Sequence, residues 1–347
     1  MSPIIHRVKR AGLVVVNTAA AAPAAPGFDL NSCRCGLPLV QDLTMHSERA
    51  DGEPVSGHSG QVAWRMEVAR RIADAYGVND RLAAVTAAGS VGAGIADRWS
   101  DLELDCYWWQ PPVDADRRGP IEHLGAALAA FWDYDPDDRE WSEDYRLGSL
   151  GVTVSNFTVD TIEGFLDAVL DQASTDPVAH MRLAAIQRCQ ALRGVRLVQP
   201  WQVRAERYPD RLVTSVVERS LTPGVLAGWS TREALAERGD TIAVHALLSR
   251  IEQAVFAVVL ALNRIYQPHR LTKWQRHHAA QLTVAPPDFE QRLDDLWQGP
   301  DADRIAGAEA LLADTVALVR SRCRADLTAF YDVLGQRRQP ATAPQET

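Results

Sequence analysis

The chain has 347 residues, of which 46% are hydrophobic and 23% charged, and its formal net charge is -9. That length leaves room for two domains, the composition is that of an ordinary globular protein, and the acidic balance speaks against a broad nucleic-acid surface, which needs clustered Lys and Arg. Five cysteines, Cys33, Cys35, Cys106, Cys189 and Cys323, are too scattered for a disulfide framework, and the lone C-x-C lacks the second pair that a zinc site needs.

Residues 1–58 read as a disordered leader or as an over-long start with Met45 as the true beginning. Their basic opening (His6, Arg7, Lys9, Arg10) runs into a short apolar stretch that Asn17 and Thr18 interrupt, unlike a secretory signal. No later stretch offers the ~18 consecutive apolar residues of a membrane span. Reduced thiols and a cytoplasmic location are expected.

From Gln61 to Tyr76, apolar residues recur at helical spacing, and Gly77 supplies a stop. Arg81 to Ala88 reads as a short buried strand entering Gly89-Ser90. Val91 to Ile95, with Gly92 and Gly94, reads as a short helix or tight loop. The next strand, Asp101 to Trp109, carries Asp101, Glu103 and Asp105 at every second position, so all three carboxylates point from one face. Like charges this close repel, and Mg²⁺, which prefers carboxylate oxygen and commonly shares its shell with substrate phosphates, relieves them. A Gly-Ser turn offers N–H groups and a hydroxyl to phosphate oxygens.

Ile121 to Trp132 is expected to be a second helix, and the acidic Asp133 to Tyr145 a loop that either faces a cationic acceptor or is merely solvated. Leu150 to Thr158 reads as a strand and Val159 to Leu170 as a helix capped by Thr158 or Asp160. Beyond Asp176, strand signals nearly vanish. Helical patterning covers Pro177 to Ala191, Gln202 to Glu206, Tyr208 to Ser220, Thr231 to Leu235, Ala243 to Tyr266 and Ala306 to Leu334, with Pro209, Pro223 and Pro268 between. The expected fold is α/β (α+β): a mixed sheet flanked by helices over 59–175, an all-α helical bundle over 176–335, and a disordered tail over 336–347. Lys273 is the single lysine beyond the leader of a chain that otherwise uses arginine, which suits a compact ammonium on phosphate. Trp274 offers a stacking face or a core residue, and the neighbouring His277-His278 lack the i, i+4 spacing of a helical zinc site.

The order apolar strand, Gly89-Ser90, then Asp101-Leu102-Glu103-Leu104 resembles the signature of the polymerase-β-like nucleotidyltransferase superfamily. Ser100 to Leu104 followed by Tyr107-Trp108, together with Asn263-Arg264, Tyr266 and Lys273-Trp274, resembles its bacterial branch of small nucleotidyltransferases, which includes antibiotic-modifying (aminoglycoside-type) enzymes. That resemblance implies transfer of a nucleoside monophosphate from an NTP, with ATP the first choice, to a hydroxylated small-molecule acceptor. It makes Asp101 and Glu103 the Mg²⁺ ligands, and Gly89, Ser90, Lys273 and Asn263 the nucleotide contacts. The segment Trp201 to Pro209, with Arg204, Arg207 and Tyr208, is similar to the branch too and is expected to pack between the halves. A third carboxylate belongs on the strand Leu150 to Thr158, which carries Thr153, Ser155 and Asn156 instead. Asp160 is the nearest substitute and Asp105 the other. Without one, a nucleotide-binding regulator or degenerate enzyme is the alternative, and an enzyme of toxin–antitoxin type acting on protein or tRNA is a third reading. A homodimer is left open.

Overall fold

The computed structural model describes residues 58–269 and 273–341. The leader expected over 1–58, with Cys33 and Cys35, lies outside the described residues save for its last position. Helix α1 (His58–Tyr76) leads into β1 (Leu82–Ala87), the single-turn helix α2 (Gly89–Gly92) and β2 (Leu102–Trp108). Helix α3 (Asp114–His123), β3 (Ala127–Asp135), β4 (Glu140–Leu147), β5 (Leu150–Thr158) and α4 (Val159–Gln172) follow. Next come α5 (Pro177–Arg188), β6 (Gln190–Arg193), α6 (Val195–Ala205), α7 (Asp210–Ser220), a 3-10 turn at Trp229–Thr231 and α8 (Arg232–Arg238). The chain closes with α9 (Thr241–Leu262), α10 (Gln275–Ala279), α11 (Phe289–Asp295), α12 (Asp301–Arg322) and α13 (Thr328–Leu334).

The six strands form one sheet in the order β3-β4-β5-β2-β1-β6. Only β2 and β5 run parallel; all other neighbours are antiparallel, so the sheet is mixed as expected. Its sixth strand comes from beyond residue 176, and it ties the start of the helical half to β1. One face of the sheet carries Val85, Leu104, Trp108 and Val154 into a core with α1 and α3. The other carries Tyr107 and Phe157 into a core continuous with α4, α5, α6 and the later helices.

Three expectations need correction. The helix expected over 121–132 ends at His123, and the Ala-rich residues after it form edge strand β3 paired with β4. The acidic stretch 133–145 is mostly strand, the end of β3 and the start of the inner strand β4 with a short turn between them, and not a loop; sheet pairing overrides its charge. The helix expected over 306–334 is interrupted between Arg322 and Thr328. In the tail expected over 336–347, Gln336 and Arg338 are hydrogen-bonded back to Arg232 and Ser230. Helix α9 is long and apolar enough to cross a membrane, yet just over half of its most apolar window is buried inside the protein, where Val244, Leu248, Ile251 and Val255 are core residues.

Charge on β4 is tolerable because it is matched. Glu143 is fully buried; it accepts from Arg117 Nε at 2.8 Å, from the Tyr76 hydroxyl at 2.7 Å and from Asn156 Nδ2 at 3.0 Å. Arg117 also donates to the carbonyls of Trp132 and Ser142, and Trp108 Nε1 donates to Asn156. The carboxylate is thus met by three donors, one of them a cation, which is the condition for burying such a pair. Arg117→Ala leaves Glu143 without its cation in the core; we expect it to destabilise the fold by about 3–5 kcal/mol in urea titration, whereas Arg118→Ala, which removes a half-exposed guanidinium lying over Phe131, costs about 1 kcal/mol or less.

Candidate active site

Strand β1 delivers the chain into a turn that favours glycine. Gly89 has φ +54, and a Cβ there would lie 1.9 Å from Glu103 Oε2. The Glu103 carboxylate therefore rests directly on the backbone of the Gly89-Ser90 turn. Gly92 closes the same turn, where a Cβ would meet the Ala87 carbonyl oxygen at 2.4 Å. The antiparallel pairing of β1 with β2 brings the two together, and the Ala88 N–H donates to the Glu103 carbonyl at 2.9 Å. The first N–H groups of so short a helix have no intrahelical acceptor.

Asp101 is held from behind. Asp97 accepts from the Trp99 N–H and the Ser100 hydroxyl, folding the approach loop on itself, while the buried Arg65 donates Nε and Nη2 to the Ser100 carbonyl at 2.9 and 2.6 Å. Asp101 then projects exposed at the start of β2, beside Gly151 at the start of β5.

The three acids do share a face, but they have different fates. Asp105 is buried; the Tyr107 hydroxyl donates to it at 3.4 Å, and Arg182 of α5 stands 3.7 Å away while pairing with Glu140 at 2.7 Å. Asp105 is thus committed to an ion cluster under the helices. Glu103 stays open to solvent at the mouth. Crowding by protein on its other sides, then Asp101 and Asp105, push its carboxyl up to about 7, against the opposing charges of Lys273 and Arg182. Burial likewise pushes Asp105 up to about 6, although Arg182 pulls it down.

Lys273 is exposed and close enough for its charge to act on Glu103. Trp274 is exposed as well, so it is not a core residue. Asn263 does not join them. Its amide donates to the carbonyls of Val259 and Val284, and its oxygen accepts from the N–H groups of Thr283 and Val284 and from the Thr283 hydroxyl. It is a clamp between the end of α9 and the chain beyond α10. Asp160 is also placed elsewhere. Because β2 and β5 are parallel, with Glu103 opposite Thr153 and Trp108 opposite Thr158, Thr158 lies about 17 Å along the strand direction from Glu103, and Asp160 follows it in the first turn of α4 at that far end. Thr158, not Asp160, caps α4.

The register brings forward a different carboxylate. Glu103, Thr153 and Asp144 lie abreast on β2, β5 and β4, and the Thr153 hydroxyl donates to Asp144 at 2.7 Å. Asp144 is two strand spacings, about 10 Å, from Glu103. Its position inside a run of acids hid it in the sequence. Arg65 and Arg182 were missed too, being single arginines in helices with no motif around them. Arg204 bridges to Glu163 and Asp167 of α4, and Tyr266 packs on Tyr208, so the Trp201 to Pro209 segment does join sheet-flanking and later helices.

Two neighbouring carboxylates, one of them pushed up to about 7 by crowding and then by its acidic neighbours, are the donor chemistry that a hard divalent cation fits. Among the described residues, no group of three or more His, Cys, Asp and Glu side chains is arranged to hold a metal without further ligands.

Residues 178–275 match a domain of unknown function (DUF4037), a span that runs from α5 to the start of α10. No curated protein matches the chain. Among solved structures, the chain is similar to a nucleotidyltransferase-like protein from Exiguobacterium sibiricum, with a TM-score of 0.36 and 14% identity over 74% of this chain and 75% of that one.

The raised carboxyls have a stability consequence. Between the ordinary values of 4.5 and 3.8 and the folded values of about 7 and 6, the folded state binds more protons than the unfolded chain, so stability falls as pH rises through that window and levels off above it. In urea titrations without divalent cations, Glu103→Gln is expected to flatten the upper part of this decline, between about pH 5 and 7.

Proposed function

We propose that the chain is a Mg²⁺-dependent nucleotidyltransferase that moves a nucleoside monophosphate from an NTP to a hydroxyl of a small acceptor. One observation carries this reading: the Glu103 carboxylate lies on the Gly89-Ser90 turn, beside Asp101 and within the field of Lys273. Carboxylates for a cation, a turn for phosphate and an ammonium for phosphate charge meet in one place.

Asp101 and Glu103 would hold Mg²⁺, which supplies charge neutralisation on the phosphates and bridges them to the protein. Gly89 and Ser90 orient the triphosphate through backbone N–H groups and a hydroxyl. The acceptor oxygen attacks the α-phosphorus, the bond from the α-phosphorus to the β-bridging oxygen breaks, and pyrophosphate leaves with that electron pair. The hydroxyl proton needs a carboxylate on this face. Asp144, aligned by Thr153, takes the part that the sequence offered to Asp160. The acid-rich face and the net charge of -9 favour a cationic acceptor of aminoglycoside type over a nucleic acid.

A second reading, nucleotide binding without turnover, draws on the absence of a three-ligand cluster among the described residues. Pyrophosphate release separates the two. With each NTP, Mg²⁺ and a panel of aminoglycosides and other polyhydroxylated acceptors, the wild type is expected to release pyrophosphate with at least one acceptor, and Asp101→Asn or Glu103→Gln to lower that rate by roughly 10²-fold or more. Nucleotide binding with no release across the panel selects the second reading; no binding of any NTP removes both.

A further inference from the structure

Strand β3 ends the sheet, with β4 on one side and no described strand on the other. Proteins commonly shield such an edge with lysine, proline or a very short strand, because its unpaired N–H and C=O groups are a template for another chain. Strand β3, Ala127–Asp135, has nine residues with neither lysine nor proline, and its first six, 127–132, carry no charge. Leu128 and Tyr134 stand 41% and 45% exposed on it.

The irregularities of β3 determine what can pair with it. From Leu128 to Ala130 the strand takes two steps against one on β4, and from Trp132 to Asp135 it takes three against two. Each is a bulge with one extra residue on β3. The two bulges flank Phe131 symmetrically. Leu128, Phe131 and Tyr134 therefore share one face of the sheet: Leu128 lies opposite Tyr145, Phe131 opposite Glu143, and the Tyr134 ring packs on Trp141 at 4.7 Å. Ala127 and Asp135 share the other face, opposite Arg146 and Glu140. A regular strand laid along this edge would lose its alternation at each bulge. A second copy of β3, turned end for end about Phe131, has matching bulges and keeps every side chain on its face.

We propose that β3 pairs with β3 of a second copy of this chain, antiparallel about a two-fold axis at Phe131, so that two six-stranded sheets become one. In that register Leu128 lies opposite Tyr134 of the partner subunit, which joins exposed apolar side chains on the same face. Ala127 lies opposite the partner subunit's Asp135. The seam is also complementary in charge. The acidic ends of the two strands, at Asp133 and Asp135, lie apart, and each meets the end of the other where exposed Arg146 stands behind Ala127. Arg146 and Asp135 of the partner subunit are then two strand spacings, about 10 Å, apart at the backbone, with only the Ala127 methyl between. Arg118, whose guanidinium lies over Phe131 near the axis, has Asp114 at 3.9 Å as its own counter-ion. Such an interface is closed and isologous, so it stops at two copies.

The test is sedimentation velocity on the full chain, joined to disulfide trapping. The wild type should sediment as a dimer at high concentration, and Leu128→Lys with Tyr134→Lys, which sets like charges opposite each other on exposed positions, should weaken the dimer about 100-fold or more while the circular dichroism spectrum stays unchanged. In a background of Cys33→Ser, Cys35→Ser and Cys323→Ser, the double variant Leu128→Cys with Tyr134→Cys should be trapped as a covalent dimer on mild oxidation, and neither single variant should be, because only the pair places sulfurs opposite each other. A wild type that stays monomeric overturns the proposal and leaves the edge to a strand of another protein. A dimer that survives both lysines overturns it too, as does trapping of the single cysteine variants as readily as the pair. If the lysine variant does not fold, failure of the cysteine pair to cross-link overturns it.

Discussion

Arg182 is the interaction on which the arrangement depends. It leaves α5, lies over the Phe157 ring at 4.5 Å, pairs with Glu140 at 2.7 Å and stands 3.7 Å from Asp105. Without a cation there, β2 and β4 would turn two buried carboxylates toward the helices, at a cost of several kcal/mol for each unpaired charge. With it, the acidic face of the sheet becomes a seat for α5. The same helix runs on to Arg188 about 9 Å further along its axis, then into β6, which pairs with β1. One helix thus fixes the ion cluster, the Cys189 backbone against Gly92 and the sixth strand of the sheet.

That seat also sorts the acids by depth. Along β2 the face passes from Asp101 and Glu103, open at the mouth, to Asp105 under Arg182, and then to Tyr107 in the core. Only the first two keep oxygens for a ligand. Crowding by protein, and after it the closeness of the other acids, raises Glu103 to about 7, and a divalent cation at these oxygens would displace its proton near neutral pH. Lys273 and Arg182 supply positive charge from the helical side, and both act on Glu103.

Much of this was legible in the chain, and the exceptions have physical reasons. The period-two acids of Asp101 to Asp105 and the Gly89 turn were readable because strand alternation and a positive φ leave marks in sequence. The α4 cap at Thr158 was readable for the same kind of reason. Ala127 to Trp132 reads as helix by propensity, yet β4 pairs with it along its length and makes it an edge strand. Strand β4 itself was hidden because buried Glu143 breaks the apolar alternation, and its partner Arg117 sits 26 residues earlier in the chain. Asn263 looked like a ligand because a lone polar residue after an apolar helix has no local partner; its partners arrive from Thr283 and Val284.

The central claim, that the Glu103 carboxylate on the Gly89 turn joins Asp101 to bind a divalent cation together with a nucleotide, is tested most directly by electron paramagnetic resonance of Mn²⁺ in place of Mg²⁺. The account predicts that wild-type protein binds Mn²⁺ more tightly when a non-hydrolysable ATP analogue is present, and that Asp101→Asn abolishes this coupling while the protein stays folded. Mn²⁺ bound equally well by Asp101→Asn and wild type, or indifferent to the nucleotide, would contradict it.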